Sequence, residues 1–440
     1  MVKKIIKRFE SFKNNCEPAY IEYCKLPIDE KLVLLEGGQG SNINGNMFSM
    51  LKELKTNPRW KEYTCAFVVT EDTMEKAKKR MAFYGFKDVV LSVRNSKEYL
   101  KHLATAKYVM TDNSFPPYFN KRDEQIFFNT WHGTPLKTLG KANKSSLSSI
   151  GNVQKNYLMS DYALFPNEFT RNVFMDDYYL RNIYKGKSLI ANYPRNYIFY
   201  DAEAGVEMKK KLGFEGKKIY AYMPTWRDAA NDAQKKTSIK ETEAILQEFD
   251  KKLDDSSVLL VNLHFLLSSE INCDKYKHVE YFSGDYDTYE ILNACDGLVT
   301  DYSSVFFDFA ITGKKVILFA YDKEKYLSTR GTYMPFEELP FAIVEKVDDV
   351  VREMQKPYEV SKEFLDEYCP NGSIDSCEKL FEMLVIGESD VYKIETTIPE
   401  NEKTCLVYAG VLPDAHMGGL EIFKEQNPDY KFIVAYRRNL

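Results

Sequence analysis

Two Rossmann-like α/β domains facing each other across a cleft are what this sequence predicts. Short β-rich runs alternate with helical stretches, the alternation pauses at 191–200, and it restarts in a second set of similar size. Strands separated by helices of this length form parallel βαβ units. The first set has strand-like runs at 32–35, 64–70, 89–93, 108–111 and 126–130, with helical periodicity at 47–54 and 74–84 between them. The second has strand-like runs at 219–223, 258–264, 279–282, 298–300 and 316–319. A polar stretch, 228–242, reads as a loop leading into a helix. Ligands of open α/β sheets sit outside the carboxyl ends of the strands, so residues just after strands take priority.

The flanks follow other rules. At 1–13, Ile5, Ile6, Phe9 and Phe12 fall at helical spacing among five basic residues. Such a helix lies on an anionic membrane surface or packs on its own domain. After a closing helix at 376–384 and a polar linker at 388–403 come a strand-like run at 405–408, a turn at Gly418 and Gly419, a helix-like stretch at 420–426 and a strand-like run at 432–435. One βαβ unit cannot bury both faces of its sheet, so residues from about Thr404 are expected to open a third domain of a longer protein. The expected division is 1–30 basic segment, 31–200 first domain, 201–385 second domain, and 386–440 linker with a partial module.

Length and composition narrow the function. The 440 residues amount to two to three domains, at about 100–200 residues each. With 44% hydrophobic and 28% charged residues the chain is ordinary globular protein, neither disordered nor polytopic. Its longest apolar stretch, 258–267, is interrupted by Asn262 and His264 and falls short of the roughly 18 residues of a bilayer span. A net charge of −5 counts against a dedicated nucleic-acid binder. Eight scattered cysteines with no C-x-x-C pair, and no signal-peptide pattern, read as a reduced, cytoplasmic chain. The 31 tyrosines suit either a sugar or nucleotide cleft or a large aromatic core.

Histidine is the side chain best suited to proton transfer at neutral pH, and there are five. His132 closes a strand-like run and precedes Gly133-Thr134-Pro135-Leu136-Lys137. Thr134 reads as a helix N-cap with Pro135 at the first helical position. Imidazole, backbone N–H groups and Lys137 would then converge on an anionic ligand; the alternative is a lone histidine satisfied by a buried hydrogen bond. His264 ends the apolar run of the second set, so one strand-end histidine from each half is expected at the cleft. His102, His278 and His416 sit in ordinary contexts. In Thr300-Asp301-Tyr302-Ser303-Ser304, a strand turns into a short apolar helix. Its two hydroxyls suit either phosphate oxygens or plain capping. Thr225-Trp226-Arg227-Asp228 follows the first strand of the second set, and Arg227 reads as a bidentate phosphate clamp or as half of an Arg–Asp pair. Pro194 and Arg195 read as hinge or cleft residues, or as a linker turn. The Gly37-Gly38-Gln39-Gly40-Ser41 loop is a weak acceptor-site signal. No GxxxxGK[ST] loop, GxGxxG after the first strand, G-x-S-x-G elbow or metal-spaced His/Cys cluster is present.

Three motifs in this order, Trp131-His132-Gly133-Thr134-Pro135-Leu136-Lys137, Pro224-Thr225-Trp226-Arg227-Asp228 and Thr300-Asp301-Tyr302-Ser303-Ser304-Val305-Phe306-Phe307-Asp308, resemble the CDP-glycerol glycerophosphotransferases of teichoic acid and capsule synthesis. The resemblance spans about residues 30–385. It implies a GT-B fold with the acceptor domain first, and transfer of a polyol phosphate from CDP-glycerol or CDP-ribitol to a hydroxyl of a membrane-linked acceptor, releasing CMP. It also implies a catalytic pair, His132 and His264. Donor diphosphate contacts would come from Arg227, Thr225, Asp301, Ser303 and Ser304, and acceptor or phosphate contacts from Gly133, Thr134 and Lys137. No catalytic metal or other cofactor is implied, and the expected site is the inner face of the membrane. Relatives commonly carry a basic residue two places before the second histidine and often a proline after it; here these are Asn262 and Phe265, which implies altered donor contacts. Other readings are a nucleotide-sugar glycosyltransferase of the same fold, told apart by which nucleotide is released, and a non-catalytic binding module.

Overall fold

A computed structural model describes residues 16–143, 150–225, 227, 232–329, 331–370, 372–387, 393–396, 403–409 and 421–436. The basic stretch at 1–13, His416 and the Gly418–Gly419 turn lie outside the described residues.

Strand runs that are apolar on both faces belong inside parallel sheets covered by helices. The first domain is built from such runs: β1 (Asp29–Glu36), β2 (Thr64–Val69), β3 (Val89–Val93), β4 (Ala106–Thr111), β5 (Ile126–Asn129), β6 (Tyr162–Phe165) and β7 (Lys187–Ile190). The second contains β8 (Lys218–Met223), β9 (Ser257–Val261), β10 (Val279–Tyr281), β11 (Gly297–Thr300), β12 (Lys315–Phe319) and β13 (Ala342–Val344). Residues 32–35 of β1 and 258–261 of β9 are buried, which is why each reads as a continuous apolar run. Strands β14 (Lys393–Thr396), β15 (Lys403–Ala409) and β16 (Tyr430–Tyr436) complete the set.

The first sheet runs β14-β7-β6-β5-β4-β1-β2-β3 and the second β10-β9-β8-β11-β12-β13. Strand order therefore reverses between β1 and β4 in one sheet and between β8 and β11 in the other. Those reversals open the crevices where ligands of doubly wound sheets bind. The two Rossmann-like domains predicted from the sequence are present.

Several expectations are corrected. Strands β6, β7 and β13, three or four residues long, were not anticipated. The polar stretch 228–242 is not a long loop, because helix Asp232–Lys252 begins inside it. The boundary at 385 also moves. Helix Ser376–Ile386 crosses back and buries Cys377, Leu380, Phe381, Met383 and Leu384 in the core of the first domain. The linker at 388–403 contains β14, which pairs antiparallel with β7 on the edge of the first sheet. Strands β15 and β16 form a separate parallel pair.

The 3-10 segment Pro194–Tyr200 carries the chain from the first domain to the second, and the junction is tied at several points. Lys52 pairs with Glu290 at 3.0 Å, the Gly45 N–H donates to Asp287 at 3.2 Å, and the Thr138 N–H donates to the Gly331 carbonyl at 3.0 Å.

Candidate active site

His132 owes its place to a forced reversal after β5. Trp131 lies at φ +52, a conformation that is an outlier for a bulky residue and costs about 1–3 kcal/mol. Side chains hold it there. Asn129 Oδ1 accepts from the Trp131 N–H at 2.9 Å, and Asn46 Nδ2 donates to the Trp131 carbonyl at 2.9 Å. The indole packs edge-on against Phe174 and stacks on the imidazole, with centroids 4.2 Å apart in the stack. His132 is thereby exposed at the carboxyl edge between buried Trp131 and buried Gly133.

The imidazole Nδ1 lies 2.7 Å from the Asp112 carbonyl oxygen. A carbonyl only accepts, so Nδ1 carries the proton and the neutral ring keeps its lone pair on Nε2. Although the residue keeps solvent access, protein surrounds the ring closely. Desolvation above all, with the charge of Arg195 added, pushes its pKa down to about 4 against the opposing Asp112 hydrogen bond. Asp112 is itself buried; desolvation raises its carboxyl to about 6, and that carboxyl accepts from the Gly38 N–H at 2.7 Å. The Gly-rich loop after β1 thus borders the His132 site at the switch point of the first sheet.

The other half of the site sits at the second switch point. Asp301, after β11, accepts from the Thr225 N–H at 2.9 Å and meets Arg227 Nη2 at 2.9 Å. Arg227 also holds both carboxylate oxygens of Asp322, at 2.7 and 2.9 Å, and lies over the rings of Tyr302, Tyr321 and Tyr326. Burial would lower its pKa, but the hydrogen bond to Asp322 and the charge of Asp301 outweigh this and raise it. Of the two readings of Arg227, the Arg–Asp pair is present: Arg227 and Asp301 face each other and join the β8 and β11 loops. Thr225 Oγ1 is buried with no hydrogen-bond partner. Ser303 and Ser304 are half-buried, and Ser304 makes no side-chain cap bond.

The two halves touch. A Cβ on Gly133 would lie 2.5 Å from Ser304 Oγ, so only glycine lets the His132 loop meet the serine turn this closely. The Gly133 N–H donates to the Tyr193 hydroxyl at 3.1 Å. No helix follows Thr134, which corrects the N-cap expectation. Thr134 Oγ1 accepts from Asn167 at 3.1 Å, and Lys137 forms a bridge with Thr332 of the second domain, which keeps the segment extended. Lys137 Nζ stands 5.4 Å from the centre of the Tyr326 ring. His264 lies three residues beyond β9, half-buried, and its carbonyl accepts from Leu267 and Ser268 in a short helical turn. Asn262 pairs with Tyr222 of β8, which puts His264 on the carboxyl edge one strand from Thr225. His102 and His278 are held structurally, by Ser92 and by Asp250 and Asp255. Among the described residues no three His, Cys, Asp or Glu side chains converge as a metal-ligand set.

A family model described as CDP-Glycerol:Poly(glycerophosphate) glycerophosphotransferase matches residues 19–384. The chain belongs to this family. The teichoic acid poly(glycerol phosphate) polymerase of Bacillus spizizenii is 29% identical over 380 residues, 82% of this chain and 93% of that protein. The polymerase of the same name from Staphylococcus epidermidis is 30% identical over 298 residues, 63% of this chain and 41% of that protein. A structure of the wall teichoic acid polymerase TagF matches with a TM-score of 0.71 at 23% identity, covering 88% of this chain and 98% of that one. That likeness speaks to the fold, the two-domain GT-B architecture.

In this glycerophosphotransferase-family chain, motif reading missed the residues that hold the motifs. Asn46, Asp112 and Tyr193 orient His132 and Gly133, while Asp322 anchors Arg227. None lies in the three motifs: Asp112, Tyr193 and Asp322 follow other strands, and Asn46 comes from the helix Gly45–Thr56. The one local signal was Asn129 just before the strained Trp131, because an Asx side chain bonds its own backbone two residues on.

Proposed function

We propose that this chain moves a polyol phosphate from a CDP-activated donor to a hydroxyl of a lipid-linked or polymeric acceptor, releasing CMP, in teichoic acid or capsule polymer synthesis. The observation that carries the proposal is the Gly133–Ser304 contact, which joins the histidine motif of one domain to the serine motif of the other. His132 Nε2 takes the proton of the attacking hydroxyl. The acceptor oxygen bonds to the polyol-bearing phosphorus, the bond from that phosphorus to the CMP oxygen breaks, and CMP leaves with the electron pair. Ser303, Ser304 and Thr225 donate to diphosphate oxygens as charge builds on the leaving group. Lys137 and the Gly133–Thr134 backbone serve the acceptor side, and His264 stabilises or protonates the departing phosphate. A low pKa keeps His132 neutral in the empty site, and an arriving diphosphate favours the imidazolium, so the base strengthens once the donor is bound. No step is assigned to a metal ion, and persistence of activity in EDTA tests that assignment.

Incubation with CDP-glycerol, CDP-ribitol and a panel of UDP- and GDP-sugars tests the reading. CMP release with one CDP-polyol is the expected result; UDP or GDP release instead would mean a glycosyltransferase. Gly133→Ala is expected to cut transfer by about 10²-fold, the cost of a misplaced reacting group, because the new methyl displaces the Ser304 hydroxyl. Adding Ser304→Gly should make the combined loss less than additive, and strict additivity in CMP-release rates would separate the two residues.

Among the described residues no helix is long and apolar enough to cross a membrane. Membrane contact is proposed as peripheral, at the inner face, supported by the basic amphipathic sequence at 1–13 and a lipid-linked acceptor. Flotation on anionic but not neutral liposomes is the expected behaviour.

A further inference from the structure

We infer that Arg195, anchored on Asp308, is a positioning residue that keeps His132 and the Ser303–Ser304 turn in register across the domain junction. The inference rests on the reading of His132 as the base. Arg195 lies in the 3-10 segment joining the domains and is almost fully buried. Its Nη2 bonds Asp308 Oδ2 at 2.6 Å, while Asn196 Nδ2 and the Tyr289 hydroxyl occupy the same carboxylate at 3.0 and 2.8 Å. Asp308 belongs to helix Val305–Ala310, which begins directly after the two serines. Toward the other domain, the Arg195 N–H donates to Asn46 Oδ1 at 3.4 Å, and Asn46 Nδ2 holds Thr130 Oγ1 and the Trp131 carbonyl. The guanidinium lies between the rings of Tyr193 and Tyr289, 4.8 and 5.1 Å from their centres, and the Tyr193 hydroxyl receives the Gly133 N–H. Contacts from both motifs therefore end on one residue, on its side chain through Asp308 and Tyr193 and on its backbone N–H through Asn46. Its Nη2 reaches within 4.0 Å of a Cβ built on Gly133, and its buried Nε has no hydrogen-bond partner.

A residue that only glued the domains would leave the chemistry of His132 untouched, whereas a cation at this place bears on it. The charged or titratable groups around the imidazole are Asp112 from the β4 end, Arg195 and Tyr193 from the junction, and Asp308 behind Arg195. Removing the cation favours protonation of the ring, so the acid limb of kcat/KM, which reports the free enzyme, moves to higher pH. Arg195→Met in the full chain is expected to lower kcat about tenfold and raise that limb by about one pH unit, a nearby unit charge being worth this much. Arg195→Lys keeps the charge and leaves the limb in place, and Asp308→Asn does not raise it. Should Arg195→Met fail to fold, Arg195→Gln keeps a donor for Asp308 and is expected to raise the limb likewise. An unmoved limb in the folded neutral variant, or the same rise in all variants, overturns the inference. His132→Asn separates the two readings: full activity there removes the base itself, whereas an inactive His132→Asn with an unmoved limb in the Arg195 variants removes only the role of Arg195.

Discussion

His132→Asn should reduce CMP release from a CDP-polyol by about 10²–10⁴-fold, the usual contribution of a positioned general base. Asparagine preserves a donor toward the Asp112 carbonyl and much of the ring volume, so donor affinity by titration should change only a few-fold. A variant that kept a tenth of the wild-type rate would remove His132 from proton transfer. The pH profile gives a second check. The base works as the neutral imidazole, and its pKa in the folded chain is about 4 rather than near 6.5. Wild-type kcat/KM should hold through pH 6 and fall as the pH nears 4. Stability moves in a linked way. The unfolded chain protonates this histidine first, so it binds more protons than the folded chain between about pH 6.5 and 4, and folding stability declines as pH falls through that window. His132→Asn removes this part of the decline, measurable as a flatter dependence of melting temperature on pH.

Arg227→Ala should cost about 3–5 kcal/mol of stability, because removing one partner of a buried pair leaves charge uncompensated. Here two carboxylates lose their cation at once. Asp301 keeps only 2% of its side-chain surface and Asp322 18%, so water cannot easily replace the guanidinium. Arg227→Lys should fall between, since one ammonium cannot bridge Asp301, Asp322 and the Thr225 carbonyl as a planar fork does. Thermal or urea unfolding measures the loss. If Arg227→Ala melted like the wild type while KM for the donor rose steeply, the side chain would be a phosphate clamp rather than a brace between loops.

Local pattern determined much about this protein. Buried parallel strands must be apolar along their whole length, and helices between them must be amphipathic. Most strands of both domains, the closing helix and the two-domain division could therefore be read directly, as could the motif residues after β5, β8 and β11. Tertiary structure decided what those residues do. The paired extended segment after Thr134 depends on the second domain supplying Thr332, a partner far along the chain. The pairing of Arg227 with Asp322 is one such case, since Asp322 arrives from beyond β12. Helix Ser376–Ile386 returned to the first domain because that sheet had an uncovered apolar face, a fact about area and not about sequence order. Spacing along a chain reports which side chains leave a strand end together; it says nothing of which strand ends meet, because that depends on how the two sheets pack across the junction.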